Sequence, residues 1–155
     1  MTTKVRLGHI ALPAQHPEAL AAFYQRLLGL EQSLQGTLPQ LGDFVFLSDD
    51  PDERVVALAF MTNIEARHVA WEVESLAALR DFYAAAKAQG APVLFALDHG
   101  VSLSLYLRDP EGNSVEVYWP TGRAADAAYA DPVDLALLEQ PDEVLLAQLN
   151  AHARS

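Results

Sequence analysis

The sequence predicts an α+β fold in which two βαβββ modules form a curved mixed sheet or open barrel, followed by a short C-terminal helical tail. Three observations predict it: an internal repeat, a regular succession of helix-like and strand-like segments, and a leucine-rich C-terminal stretch with helical spacing. We expect one domain at residues 1–120, with modules at about 4–62 and 66–120, and a helical extension at 121–155.

The repeat relates two segments separated by 59 residues, an offset at which His9 falls on His68. The same offset aligns Ala11 with Ala70, Ala19-Leu20 with Ala78-Leu79, and Phe23-Tyr24 with Phe82-Tyr83. Each copy reads as a short strand carrying a histidine, then a loop, then an amphipathic helix carrying the Phe-Tyr pair. Because a histidine and a Phe-Tyr pair match at one offset, chance is the weaker interpretation.

The first module is predicted to contain one helix and three further strands. The helix spans about 17–28 and is followed by Gly29, a residue typical of helix ends. Gly, Pro and Asp clusters separate the β-like runs that come next. These runs are Glu31–Gln35, Asp43–Leu47 and Arg54–Met61.

The second module repeats this order. Its helix spans about 76–89 and is followed by Gly90. A turn of the Pro-with-downstream-Gly type, at 109–113, joins the last two strands. The strands are Pro92–Leu97, Val101–Arg108 and Ser114–Trp119. The two modules together are therefore predicted to have eight strands and two helices.

The tail differs from both modules. Leucines and valines at 134–149 follow helical spacing, and Pro141 divides the segment into two short helices. We expect it to pack over the barrel or against a partner subunit.

Composition restricts the classes of function. The formal net charge is −11, and the ten Lys and Arg residues are scattered singly, which argues against a nucleic-acid partner. No apolar run approaches the roughly 20 residues of a membrane-spanning helix, and the N-terminus lacks a signal-peptide pattern. Cysteine is absent, which excludes disulfides and thiolate chemistry. We expect a cytoplasmic protein that takes a small neutral or weakly charged ligand.

Strand alternation indicates where chemistry could lie. On the strand at 66–73 one face carries His68, and on the last strand one face carries Glu116, while the opposite faces are apolar. A carboxylate buried in mid-strand needs a counter-charge, which a divalent cation supplies. Two imidazoles, from His9 and His68, with one carboxylate form the facial triad of non-haem Fe(II) enzymes, and such a set also accepts Mn or Zn. A single strand histidine is more often structural, but the repeat shifts the balance towards a metal site.

The chain resembles the vicinal oxygen chelate superfamily, which includes glyoxalase I, fosfomycin-resistance proteins, bleomycin-binding proteins and extradiol dioxygenases. The matching segments are LGHIAL at 7–12, RHVAWEV at 67–73 and DHGVSLSLYLRDPEGNSVEVYW at 98–119. The last is the most specific and is closest to small catechol 2,3-dioxygenase-like members. The tail segment DPVDLALL at 131–138 is also similar to theirs.

The resemblance implies roles for five residues. His9, His68 and Glu116 match the metal ligands, and Tyr106 matches a tyrosine that assists binding of a substrate hydroxyl. His99 lies near the position of a second-sphere histidine and could act as acid or base, although a plain loop histidine is an equal alternative. The implied ion is Fe(II), with Mn(II), Zn(II) or Ni(II) as alternatives.

The resemblance also favours one reaction. Glyoxalase-type enzymes use a fourth ligand near the end of the first module's last strand, where this chain has only apolar residues at 55–61. We therefore expect a metal-dependent extradiol-type dioxygenase acting on a catechol-like aromatic diol. A metal-dependent isomerase or thiol transferase, and a non-enzymatic small-molecule-binding protein, remain as alternatives. A homodimer is a further expectation.

Overall fold

The computed structural model describes residues 3–124 and 130–152. These contain nine strands, three α-helices and two 3₁₀ helices, the latter at Ile64–Ala66 and Leu135–Glu139. The strands are β1 (Arg6–Pro13), β2 (Glu31–Leu38), β3 (Gly42–Ser48), β4 (Leu58–Met61), β5 (His68–Glu72), β6 (Phe95–Asp98), β7 (Ser102–Arg108), β8 (Ser114–Pro120) and β9 (Asp131–Val133). The α-helices are α1 (Pro17–Leu28), α2 (Leu76–Ala88) and α3 (Asp142–His152). Among the helices so described, none has the length and apolarity that a membrane crossing requires.

The strands form a mixed sheet with the order β2-β3-β4-β1-β5-β8-β7-β6-β9. β1 runs parallel to β4, whereas β2 with β3, β3 with β4, and β7 with β6 and β8 are antiparallel. The α+β class with a mixed sheet is therefore confirmed. The chain divides into two compact units, one comprising Leu7–Ala70 and the other comprising Met1–Arg6 and Trp71–Ser155.

The first unit packs α1 on its strands. Pro17 occupies the first turn of α1, where a missing N–H costs nothing, and Gly29 ends the helix with a left-handed φ of 69°. The buried core joins α1 to β3 and β4, and the Tyr24 ring stacks on Phe60 with centroids 5.2 Å apart. The fully buried members of this core are Ala21, Val45, Leu47 and Phe60.

The second unit packs α2 and the C-terminal tail on β6, β7 and β8. The Ser75 hydroxyl oxygen accepts a hydrogen bond from the Ala78 N–H and so caps α2. Leu145 and Leu149 of α3 belong to the same buried cluster as Leu103, Leu105 and Val117 of the sheet. The tail therefore completes the core of this unit.

Several strand bounds and the number of strands differ from the sequence prediction; β2, for example, ends at Leu38 rather than Gln35. β9 is a ninth strand, which pairs antiparallel with β6 and was missed because it has three residues, with Pro132 in the middle. β4 begins at Leu58 rather than Arg54, because the Arg54 N–H bonds back to the Asp50 carbonyl in a turn. β6 begins at Phe95 rather than Pro92. Pro141 separates a 3₁₀ helix from α3, as expected for the tail.

Candidate metal centre

A pair of histidines from neighbouring strands meets in the first unit. The Nε2 atoms of His9 on β1 and His68 on β5 are 2.9 Å apart, and the ring planes are inclined at 78°. The Nδ1 atom of His68 lies 2.8 Å from the Ala66 carbonyl oxygen. Because a carbonyl only accepts, Nδ1 carries the proton and donates it, which leaves the lone pair of a neutral ring on Nε2. A metal-binding histidine is oriented by the same kind of contact.

The separation of the two nitrogens fits a shared ion. Metal–nitrogen bonds of about 2.1 Å that meet at roughly a right angle place their nitrogens about 3 Å apart. The observed 2.9 Å matches that separation. The His9 and His68 donor set therefore fits two neighbouring positions of a divalent cation.

A carboxylate complements this pair. Glu116 is on β8, on the face opposite Val115 and Val117, and is only 2% exposed. His9, His68 and Glu116 each offer one ligand atom, and these atoms all lie within 4.8 Å of one another. In the described part of the chain this group of two imidazoles and one buried carboxylate could hold a metal ion, and the ion would supply the charge that a buried carboxylate requires.

Two other glutamates near these strands are engaged elsewhere. Glu72 on β5 accepts a hydrogen bond from the Tyr118 hydroxyl at 3.0 Å and from the Arg6 guanidinium at 2.9 Å. Glu65, the nearest acidic residue after β4, is 73% exposed and lies 3.9 Å from Arg67. β4 itself consists of Leu, Ala, Phe and Met. The last strand of the first module therefore contributes no metal ligand.

Tyr106 lies next to the carboxylate. It is on β7, directly opposite Glu116 in the β7–β8 register, and its ring stacks on Phe95 of β6 with centroids 4.8 Å apart. Burial, reinforced by the adjacent Glu116 charge, raises the pKa of Tyr106 well above its ordinary value. Tyr106 therefore keeps its proton at neutral pH and can donate a hydrogen bond.

His99 completes this arrangement. Its Nε2 atom is 2.9 Å from the Tyr106 hydroxyl oxygen, although the two residues are seven positions apart in the sequence. His99 follows β6 in a turn, and its ring is half-buried. The structure thus brings together the two residues predicted to be catalytic, His99 and Tyr106.

Three residues that contact the candidate catalytic side chains or the turn that carries them were not predicted from the sequence. Phe95 supports the Tyr106 ring, and Asp98 forms a buried ion pair with Arg123 beside His99. A fully buried Asp directly before the candidate histidine is a signal, but its partner is distant in sequence and carries no motif. Contacts of this kind emerge only from the fold.

Two enzymes of stated activity are similar to this chain, one in sequence and one in structure. The chain is 29% identical over 138 residues to biphenyl-2,3-diol 1,2-dioxygenase 2 of Rhodococcus globerulus, which covers 84% of this chain and 70% of that enzyme. It superposes on a crystal structure of catechol 2,3-dioxygenase with a TM-score of 0.61 and 25% identity, over 83% of this chain and 45% of that one. The chain thus spans less than half the length of the latter enzyme.

The fold is not confined to dioxygenases. The Mn(II)-bound glyoxalase from Novosphingobium aromaticivorans superposes with a TM-score of 0.61 at 18% identity, over 80% of this chain and 41% of that one. At this identity the likeness concerns the fold alone. The family description that matches is the Glyoxalase/Bleomycin resistance protein/Dioxygenase superfamily, over residues 6–117. With the duplicated strand histidines and the late buried carboxylate, this match shows that the chain belongs to that superfamily.

Proposed function

We propose that this protein is a metal-dependent, extradiol-type dioxygenase that opens the ring of a catechol-like aromatic diol. The observation that carries the proposal is the group of two histidines and one buried glutamate whose ligand atoms lie within 4.8 Å of one another. The sequence similarity of the chain to a biphenyl-2,3-diol dioxygenase supports the same reaction class. The proposed ligands are His9, His68 and Glu116.

The proposed ion is Fe(II), with Mn(II), Zn(II) and Ni(II) as alternatives that this ligand set accepts. Two neutral nitrogens and one carboxylate leave positions open for a substrate. When bound, such an ion supplies Lewis acidity and a common template for the diol oxygens and O₂. With only one carboxylate among its ligands, a divalent cation keeps a net positive charge. That charge is complementary to a diol that binds as an anion.

Tyr106 is proposed to orient the diol. Its raised pKa keeps the phenol protonated, so the hydroxyl can donate a hydrogen bond to a substrate oxygen placed beside Glu116. The stacked Phe95 ring restricts rotation of the Tyr106 ring. A donor held in advance costs little reorganisation when charge develops on the substrate oxygen.

His99 is proposed to hold and move a proton. An imidazole ring carries one nitrogen that can accept a proton and one that can donate a proton, which suits it to proton transfer. The contact of Nε2 with the Tyr106 hydroxyl, 2.9 Å long, supports this role, because Tyr106 is the residue proposed to bind the diol. His99 would therefore remove a diol proton or return one to the ring-opened product.

The test is anaerobic loading with Fe(II), followed by catechol or 2,3-dihydroxybiphenyl and then oxygenated buffer. We expect one O₂ consumed per diol, measured with an oxygen electrode, together with the visible absorbance of the yellow ring-opened product. Glu116→Gln should abolish both signals. His16→Ala should not, since His16 is exposed and its side chain makes no capping bond to α1.

Three results would count against the proposal. One is the absence of O₂ uptake by iron-loaded protein across a panel of aromatic diols. The second is turnover that requires a thiol co-substrate and no O₂, which would identify the isomerase or thiol-transferase alternative. The third, stoichiometric ligand binding by metal-free protein, would identify the binding-protein alternative.

A further inference from the structure

We infer that Arg123 is a positioning residue, which holds the turn bearing His99 through a buried ion pair with Asp98. The inference rests on the role proposed for His99. It concerns a residue outside both modules, in the segment that leads to the C-terminal tail. All the contacts that carry it lie within the second unit.

Asp98 anchors the start of the turn. The residue is 0% exposed, and its Oδ1 atom accepts a hydrogen bond from the Gly100 N–H at 2.8 Å. The same oxygen forms an ion pair with the Arg123 guanidinium. A carboxylate removed entirely from water requires such partners, so Asp98 and Arg123 depend on each other.

Arg123 links the turn to the C-terminal helix. Its Nη1 atom donates to the Leu149 carbonyl of α3 at 3.0 Å, and its Nε atom donates to the Thr121 hydroxyl oxygen at 3.3 Å. A planar guanidinium presents its donors in a fixed fork, so these contacts define its orientation. Leu149, which supplies the carbonyl, is itself buried in the core.

The other end of the turn is held by Thr121. Its hydroxyl donates to the Gly100 carbonyl at 2.5 Å, and its N–H donates to the Val101 carbonyl at 2.9 Å. Gly100 adopts a left-handed φ of 76°, a conformation that glycine tolerates. The carbonyl groups of Gly100 and Val101 are therefore both bonded to Thr121, in the segment that carries Arg123.

His99 lies between these attachments. Its own N–H donates to the Ser102 carbonyl at 2.9 Å, so its backbone is fixed and the ring extends towards Tyr106. Because Nε2 must stay 2.9 Å from the Tyr106 hydroxyl, a small displacement of the turn would break this contact. The ion pair thus determines where the proposed proton-transferring ring stands.

Arg80 supplies a matched control. Its side chain is 20% exposed, as is that of Arg123, and it likewise pairs with a carboxylate, that of Asp142. It also donates to a carbonyl of the C-terminal segment, Leu138, at 2.7 Å. Arg80→Met therefore loosens the tail in a comparable way, whereas the contacts with Asp142 and Leu138 do not involve the His99 turn.

The activity test compares Arg123→Met, Arg123→Lys and Arg80→Met in the iron-loaded protein. We expect Arg123→Met to lower kcat on the order of tenfold with little change in the KM for the diol, because a misplaced catalytic group costs rate. Arg123→Lys should recover part of the loss, and Arg80→Met should retain wild-type kcat. In a His99→Ala background, Arg123→Met should cause no further loss. Additive losses in that double variant would overturn the inference.

A second measurement is independent of activity. In metal-free, full-length protein with isotope-labelled histidine, the His99 ring signal is assigned by its disappearance in His99→Ala. We expect this signal to move in Arg123→Met, to move less in Arg123→Lys and to stay in place in Arg80→Met. An unmoved signal in folded Arg123 variants overturns the inference, whether or not the wild type turns over a diol. A displaced signal in a protein without dioxygenase activity instead counts against the proposed function.

Discussion

The two modules share a scaffold but differ in the chemistry of their final strand pair. In the second module the β7–β8 register sets Tyr106 opposite Glu116. In the first module, the β3–β4 register sets Leu47 opposite Leu58. Leu47 is also the residue that the 59-residue offset aligns with Tyr106. At this position the duplicated strand pair therefore joins a phenol to a carboxylate in one copy and two leucines in the other.

This difference shows which ligands of the candidate metal site come from the duplication and which arose in one copy only. The histidine-bearing strands β1 and β5 are equivalent in the repeat, so duplication alone provides two imidazoles. The carboxylate has no counterpart, since Leu58 and the rest of β4 are apolar. A leucine pair needs no counter-charge, whereas buried Glu116 does. The proposed reactivity therefore depends on a change in one copy only.

The largest expected effect comes from Glu116→Gln. Loss of the carboxylate removes the negative ligand, so metal affinity and turnover should each fall by more than about 100-fold. This exceeds the loss typical of substitutions at residues that only hydrogen-bond to a metal ligand. Metal titration and the oxygen electrode measure the two losses. The comparison variant is Leu58→Gln, which should leave both metal affinity and turnover unchanged while lowering stability by about 1–3 kcal/mol. Equal metal affinity in Glu116→Gln and wild type would contradict the assignment.

The histidine pair provides the next effect. His9→Ala and His68→Ala should each weaken metal binding by about 100-fold, because each removes one ligand. Since the repeat makes the two strands equivalent, the two losses should be similar. Isothermal titration with Mn(II) compares them with His16→Ala, for which we expect wild-type affinity. A large loss in only one of the two would indicate that the other histidine is structural.

Tyr106→Phe should have a smaller effect, confined to the chemistry. Removing the hydroxyl deletes one hydrogen-bond donor, so kcat should fall roughly tenfold, equivalent to about 1.4 kcal/mol. Metal content should stay at the wild-type value, because the phenol is not a proposed ligand. Steady-state kinetics and elemental analysis of one preparation separate the two quantities. Loss of metal in Tyr106→Phe would show that the hydroxyl supports the centre itself.

The smallest effect on activity is expected from glycines in the turns of the two modules, although stability should change. A Cβ at Gly42 (φ +68°) would lie 2.1 Å from the Thr62 hydroxyl oxygen, whereas a Cβ at Gly112 (φ +84°) would meet nothing within 4 Å. Gly112→Ala should cost about 1 kcal/mol from its backbone conformation alone. Gly42→Ala should cost more, and Thr62→Ala should relieve part of the excess. Urea unfolding of Gly112→Ala, Gly42→Ala, Thr62→Ala and the double variant Gly42→Ala/Thr62→Ala is the measurement; equal costs for Gly42→Ala and Gly112→Ala would show that the contact at Gly42 relaxes freely.

Much of the fold could be predicted because local signals and the repeat agree. Pro17 and Gly29 bracket α1, whose bounds are those expected. The predicted start of β4 was wrong because the segment Arg54-Val55-Val56 has a strand-like composition. In the structure, tertiary contacts keep this segment out of the strand. The Arg54 side chain donates to the Gly8 carbonyl, and the Ser33 hydroxyl donates to the Val55 carbonyl. Such contacts leave no local pattern.

The candidate site likewise has features that could be predicted from the sequence and features that could not. Period-two alternation places Glu116 on the buried polar face, and the repeat pairs His9 with His68. The contact of His99 with Tyr106 depends on how a turn folds, and the Asp98–Arg123 pair joins residues 25 positions apart. Neither follows from spacing. The assignment of the ligands, the identity of the ion, a homodimer and a cytoplasmic location stay predictions.

The central claim is that one divalent cation binds where the duplicated histidines and the unduplicated carboxylate meet. Anomalous diffraction from crystals of the protein loaded with Mn(II) or Fe(II) tests it most directly. The account predicts one peak per chain, within about 2.0–2.3 Å of Nε2 of His9, Nε2 of His68 and a carboxylate oxygen of Glu116. A peak that is absent, or that excludes Glu116, would contradict it.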